Sequence, residues 1–298
     1  MTADPGLPAR SPRPAVTARP PRPAVQPLGP EAVAWRIGGD RRLLLLSGFL
    51  LLLQGAHPGI GAATQEHPNP VGAGPWQRLD QRMTSVFTLI FGGPAAFAEA
   101  GRLRESHKGI KGVDGHGKRY HALNPEAYWW VHATLYRALV LSQQWFGRPL
   151  HPADQRLLYA EWRRLGLILG LREHHMPPTL DGFDTYFATM VDERLGDNRT
   201  MRDLLSILDV SALPPPSWWR LPRRDWQRLC RTAEPMVYAL VVGFLPELLR
   251  DRLGLRWTRD DERRLRRFAA VVRTTAPLVP ERWRLHPVAY RFKRSKRP

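Results

Sequence analysis

The chain has 298 residues, 43% of them hydrophobic, and a formal net charge of +18. That length supports a sizeable core, and the +18 charge leaves nucleic acid or an anionic membrane surface open as partners beside the plainer reading of a solvated basic surface. One cysteine, Cys230, excludes an intrachain disulfide and any multi-cysteine metal site, and it predicts a reducing compartment such as the cytoplasm.

Residues 1–30 carry repeated Pro, four Arg against one Asp, and no apolar stretch of signal-peptide type, so they read as a disordered Pro/Arg-rich tail. A helix over about 31–37 follows, then the apolar run Leu43–Leu53, which continues to Gln54 and stops near His57-Pro58. Its eleven residues fall short of the ~20 a membrane span needs, so a buried core helix is expected, with a membrane-dipping segment as the alternative. Helical patterns continue over 76–91, ending at Gly92-Gly93, and over 94–108. Residues 109–123 contain Gly109, Gly112, Gly115 and Gly117 and read as a loop. Asn124-Pro125-Glu126 has the form of an N-cap, a first-position Pro and a first-turn acid, and predicts a helix to about 146. Further helices are expected at about 152–170, 182–195, 199–208, 224–232, 234–252 and 259–276. Val, Ile and Thr are too scattered to suggest sheets. The fold class is therefore all-α: one multi-helix globular domain over 31–285, between the tail 1–30 and a basic C-terminal tail 286–298. Residues 259–298 hold thirteen Arg/Lys against four acids.

Several chemistries lack their signatures. There is no G-x-x-x-x-G-K-[ST] loop, no H-E-x-x-H zinc motif, no pair of E-x-x-H motifs for a di-iron bundle and no G-x-S-x-G nucleophile elbow. What remains is histidine and arginine beside aromatics on helices. His132 shares a helix face with Trp129, Ala133 and Tyr136, a stripe that suits either a hydrogen-bonded core histidine or an axial nitrogen facing a flat ligand. Arg104, His107 and Lys108 recur at i, i+3 and i+4, as an exposed charged helix end or as carboxylate and proton-handling groups. His57 sits in Gln54-Gly55-Ala56-His57-Pro58, either as a turn histidine or beside something bulky.

In order and spacing, five pieces resemble the family of MpaB-type oxygenases and rubber oxygenase (latex clearing protein). They are Leu51-Leu-Leu-Gln-Gly-Ala-His-Pro58 with Glu66-His67, Arg104-Glu-Ser-His107, Gly117-Lys-Arg-Tyr-His-Ala-Leu-Asn-Pro125, Trp130-Val-His-Ala-Thr-Leu135 and Tyr159-Ala-Glu-Trp-Arg-Arg-Leu-Gly166, within a resemblance spanning 40–255. The resemblance implies a helical domain enclosing a haem b pocket, with His132 as the iron ligand. It implies Arg104 and His107 on the distal, catalytic side. His57, Trp129, Tyr136 and Lys108 would line or hold the cofactor. It implies a haem-dependent oxygenase using O2 on an apolar, isoprenoid- or lipid-like small-molecule or polymeric substrate. Lys108-Gly-Ile-Lys-Gly112 keeps the family frame after R-x-x-H, whereas the glutamate of rubber cleavage has no assigned position here, which counts against polyisoprene cleavage specifically. Two other functions stay in view. One is a haem-binding or electron-transfer protein with His107 or His57 as a second axial ligand. The other is a basic helical protein at a membrane surface, with nucleic acid the less favoured partner.

Overall fold

The computed structural model describes residues 25–67, 74–114 and 117–295, apart from the side chain of Ile207. The first helix, α1 (Val33–Ile37), is only five residues long and could not persist alone. Its leading amides are held from outside: Val33 N and Ala34 N each donate, at 2.8 Å, to one carboxylate oxygen of Glu161. A carboxylate at a helix N-terminus satisfies orphan donors and meets the positive end of the dipole.

The apolar run becomes three short elements. A 3₁₀ segment, Arg41–Leu46, leads into α2 (Ser47–Gly55), and Pro58 at the first helical position starts α3 (Pro58–Glu66) at 99° to the preceding segment. Leu46, Phe49, Leu52 and Leu53 are each 1% exposed or less, so the run is core, as its length predicted. The bent pair has the length and composition of a broken span, but no single helix among the described residues is long and apolar enough to cross a membrane.

Next come α4 (Pro75–Phe91) and α5 (Ala95–Lys108), packed against each other. The stretch expected as loop holds a small antiparallel hairpin, β1 (Lys111–Val113) and β2 (Arg119–His121), in register Gly112↔Tyr120. Its strands are too short to show alternation. The Tyr120 hydroxyl ties it to α3 by donating to Glu66 Oε2 at 2.5 Å.

The centre is α6 (Pro125–Phe146), which starts where Asn124 Oδ1 accepts from Glu126 N at 2.9 Å and stops at Gly147. Trp129, Trp130, Ala133, Tyr136, Leu139 and Phe146 are all buried, so this helix is wrapped on most sides. Two of its buried polar side chains are paired with α2: Trp130 Nε1 donates to Leu53 O at 3.1 Å, and Thr134 Oγ1 accepts from Gln54 Nε2 at 2.9 Å. It packs on α2, on α7 (Pro152–Ile168) and, near its C-terminal end, on α12, described below.

After α8 (Leu180–Thr189) one π-helical turn, Met190–Arg194, precedes α9 (Arg199–Leu205). The sequence suggested two helices over 224–252 broken near residue 233. The structure instead carries α10 (Arg223–Val242) straight through Pro235 and breaks at Gly243, before α11 (Glu247–Arg252). Gly243 is the tighter point, because a Cβ there would lie 2.5 Å from Trp257 and 2.7 Å from Leu265. Then come α12 (Arg259–Thr275), the short α13 (Glu281–Arg284) and α14 (Pro287–Ser295).

The segment 286–298 was expected as a tail, but its described part is α14, packed on α4 with Val288 and Ala289 buried. Arg and Lys at the neighbouring positions hid that apolar face. Of the N-terminal stretch 1–30, residues 1–24 lie outside the described residues, and Leu28 is buried.

His286, 5% exposed, precedes α14 with its Nε2 3.1 Å from Asp80 Oδ1. Burial holds this imidazole below the ordinary 6.5 although the Asp80 carboxylate pulls the other way. The unfolded chain therefore takes up a proton near pH 6.5 that the native state refuses, and stability present above that pH is lost as pH falls. His286→Gln is expected to flatten the decline in urea midpoint between pH 7 and pH 5; an unchanged slope would place the acid sensitivity elsewhere.

Candidate functional site

His132 is buried in α6, 4% exposed, between two tryptophans. Its ring stacks on Trp162 of α7 with centroids 4.9 Å apart and planes at 16°, and Trp129 lies 5.5 Å away. Two hydrogen bonds run in opposite directions. His132 Nε2–H donates to Trp162 O at 2.8 Å, and Trp162 Nε1 donates to His132 O at 2.8 Å. A carbonyl can only accept, so the proton is on Nε2 and the lone pair on Nδ1. Burial pushes the His132 pKa down to about 4, so the imidazole is neutral near pH 7.

One turn before His132, Tyr128 faces α5. Its hydroxyl is buried and has no hydrogen-bond partner among the described residues. The His107 ring lies 6.2 Å from the Tyr128 ring, edge to face. Burial pushes the Tyr128 phenol pKa up, opposed by the nearby Arg104 guanidinium. Arg104 Nη1 donates to Ile168 O at 3.3 Å, which ties α5 to the end of α7. There Gly170, at φ 95°, keeps its Cα hydrogen toward the Arg104 stem; a Cβ would lie 3.3 Å from Arg104 Cδ. His107 Nδ1–H donates to Leu103 O at 2.6 Å, so a neutral His107 keeps its lone pair on Nε2 for an outside group.

The structure thus sets Arg104 and His107 beside Tyr128, which lies one helical turn before His132 on α6. Trp129 borders this group. Tyr136 lies one turn further on, edge to face with Phe183 at 4.9 Å, its hydroxyl donating to Gln155 O at 3.3 Å. Lys108 is elsewhere: its Nζ is 2.6 Å from Glu105 Oε1, both side chains exposed. The i, i+3, i+4 spacing put it on the face of Arg104, but the i−3 acid draws it outward.

His57 also lies apart. It caps α3, and its buried Nε2 is 3.4 Å from Glu126 Oε1 without hydrogen-bond geometry. Glu126 also pairs with Arg194. Burial holds the His57 pKa below its ordinary value against the pull of Glu126. Tyr186 OH and Trp129 Nε1 are buried without partners, their rings 6.4 Å apart, and Tyr186 lies within the field of Glu126 and Arg194. Glu126 and His132 are six positions apart on α6, about 120° around the axis at 100° per residue. Tyr128 was within reach of sequence reasoning, one turn before His132. Trp162, Glu126, Arg194 and Tyr186 were not, because nothing in the sequence says which helices meet.

Two surface cavities flank α12: one of about 350 Å³ bordered by Gln144, Trp145, Arg266 and Arg273, and one of about 650 Å³ bordered by Met236, Arg263, Arg264, Arg267, Phe268 and Val271. Neither is lined by Arg104, His107, His132 or His57. Among the described residues no three His, Cys, Asp or Glu side chains cluster as a metal site.

The family model described as ER-bound oxygenase mpaB/B'/rubber oxygenase, catalytic domain, matches residues 35–274. Two curated relatives, uncharacterized protein Mb2261 of Mycobacterium bovis and uncharacterized protein Rv2237 of Mycobacterium tuberculosis, are each 26% identical over 245 residues, covering 80% of this chain and 91% of theirs. No solved structure matches the chain significantly.

Proposed function

This chain belongs to the mpaB and rubber oxygenase catalytic-domain family, and on that premise we propose that it is a haem b-dependent oxygenase that uses O2 on an apolar, isoprenoid- or lipid-like substrate. The observation that carries the reading is the Tyr128 hydroxyl, buried without a partner beside Arg104 and His107 and one turn from His132. A buried polar atom without a partner costs free energy unless something the protein binds supplies one.

The residues suit haem in kind. The cofactor needs a neutral imidazole, aromatic walls and cations for its carboxylates. His132 is neutral, Trp129 and Tyr128 are beside it, and Arg104 is the cation of the group. One feature sets a condition. His132 Nε2 is engaged by the Trp162 carbonyl, so ligation through that nitrogen replaces this hydrogen bond. When bound, the cofactor supplies one-electron and O2 chemistry. Arg104 contributes fixed positive charge, His107 a proton acceptor at Nε2, and Tyr128 a hydroxyl that can donate to an oxygen atom of a bound molecule.

The chain purified from cells supplied with haem precursor is expected to show a Soret band, with His132→Ala losing it. Tyr128→Phe, which removes one oxygen and keeps the ring, is expected to retain haem and lower O2 consumption about tenfold or more on apolar polyenes. A colourless wild type that also fails to take up added haem would overturn the cofactor. An unchanged spectrum in His132→Ala would overturn the ligand. The free Nε2 of His107 favours one second reading, a six-coordinate electron-transfer protein; a low-spin spectrum unaltered by CO selects it.

A further inference from the structure

The outer side of α12 and the turn after it have a chemistry that the buried group does not use. Val271, on the exposed face of α12, is 58% exposed. Leu278 is 81% exposed, Val279 39% and Trp283 62%. These four sit in one stretch, 271–283, which Pro277 and Pro280 hold as a 3₁₀ turn and a short helix. Solvated surfaces scatter single apolar residues; two Val, a Leu and a Trp exposed within one short stretch of chain mark a contact surface.

The charge next to it is positive. Val271 lies one helical turn beyond Arg267 and two beyond Arg263 and Arg264, and all four border the 650 Å³ groove together with Asp260, Met236 and Phe268, three arginines against one acid. Within the helix, Asp260 pairs with Arg263, Asp261 with Arg264 at 2.9 Å, and Glu262 with Arg266 at 2.6 Å. That leaves Arg267 with no acidic partner among the described residues. Arg282 has none either; its guanidinium lies 5.7 Å from the centre of the Trp283 ring. Helix α12 and the stretch that follows it therefore carry arginines without an acidic partner among the described residues, a groove partly lined by apolar side chains, and a Trp beside an Arg.

We propose that α12 and the 271–283 turn form a docking face for an anionic phospholipid bilayer, with Leu278 and Trp283 entering the interfacial layer and Arg267 and Arg282 meeting lipid phosphates. Trp favours the membrane interface, where its ring is half wet, and basic residues near an anionic surface each add to binding. Charge decides against a second copy of this chain, because a two-fold contact would set arginine against arginine. It decides against nucleic acid less directly. A phosphate backbone has no use for an exposed Leu278 and Val279, whereas acyl chains do. The contact differs from one at the Leu43–Leu53 run, whose Leu43, Leu46, Phe49, Leu50, Leu52 and Leu53 are buried. It stands independently of the cofactor reading.

The test is flotation of the full chain with vesicles of phosphatidylcholine alone and of equimolar phosphatidylcholine and phosphatidylserine. The wild type is expected to bind the second and not the first. Leu278→Glu with Trp283→Ala, and separately Arg267→Glu with Arg282→Glu, are each expected to weaken binding about tenfold or more. All four positions are exposed, so both variants should keep the wild-type thermal transition. Failure of the wild type to bind, or wild-type binding by either folded variant, overturns the proposal. So does a change from dimer to monomer in Leu278→Glu with Trp283→Ala while vesicle binding is unaltered, or loss of duplex DNA binding in the arginine variant while vesicles are still bound.

Discussion

Replacing Trp162 with alanine is expected to cost about 3–5 kcal/mol of folding stability, read as a fall in the urea midpoint at constant slope. Three losses combine. The indole is 2% exposed and fills the space between α6 and α7. Its ring is the surface on which the His132 imidazole stacks. Its Nε1 donates to the His132 carbonyl as a second hydrogen bond beside that carbonyl's own helical one. Trp162→Phe separates these terms. It keeps most of the volume and an aromatic face but removes the donor, and is expected to cost about 0.5–1.5 kcal/mol, the net worth of one hydrogen bond. A Trp162→Ala cost near 1 kcal/mol would mean that the α6–α7 seam relaxes around the loss. The pair also bears on function, because Trp162→Phe leaves the carbonyl that engages His132 Nε2 in place. If haem binding exchanges that carbonyl for iron, the phenylalanine variant should retain the Soret band while losing stability.

The fold class and the central helix were legible in the sequence because their signals are local. Asn124, Pro125 and Glu126 mark the start of α6, and Gly147 follows its last residue, Phe146. Leu43–Leu53 is too short to span a bilayer, and its side chains are core. The misses share another cause. The 111–121 hairpin has three-residue strands, below the length at which alternation can be seen. The sequence suggests a break near residue 233, just before Pro235, but α10 runs through it, packed on α12 and α2. The face of α14 is hidden by its arginines and lysines. Helical spacing sets Arg104, His107 and Lys108 along α5, but it could not show that Arg104 and His107 meet Tyr128 while Lys108 pairs with Glu105. Spacing could not place His57 relative to His132, because that depends on α3 lying over the Glu126 side of α6 while α7 covers the His132 side.

Asp40→Asn is expected to destabilise the chain by about 3 kcal/mol and to loosen both termini together. Asp40 is 7% exposed and is the shared acid of two arginines. Its Oδ1 accepts from Arg42 N at 2.9 Å and Arg42 Nε at 2.8 Å, its Oδ2 from Arg42 Nη2 at 2.6 Å, and Arg284 Nε lies 3.7 Å away. Arg42 in turn donates to the carbonyl of Phe146, the last residue of α6. The Asp40 backbone also forms a β-bridge with Leu285, next to His286 and α14. This one carboxylate therefore joins the start of the 3₁₀ segment, the end of α6 and the C-terminal helices. Asparagine keeps the shape but removes the charge, leaving Arg42 at 19% side-chain exposure without neutralisation. Breaking a buried pair on one side costs ~3–5 kcal/mol, and the lower end applies because Arg284, at 32% exposure, can turn to water. In limited proteolysis Asp40→Asn should release peptides from 286–295 earlier than any from α6. A cost below 1 kcal/mol, or unchanged cleavage near Leu285, would show that the Asp40–Leu285 bridge holds the C-terminal helices without the ion pair.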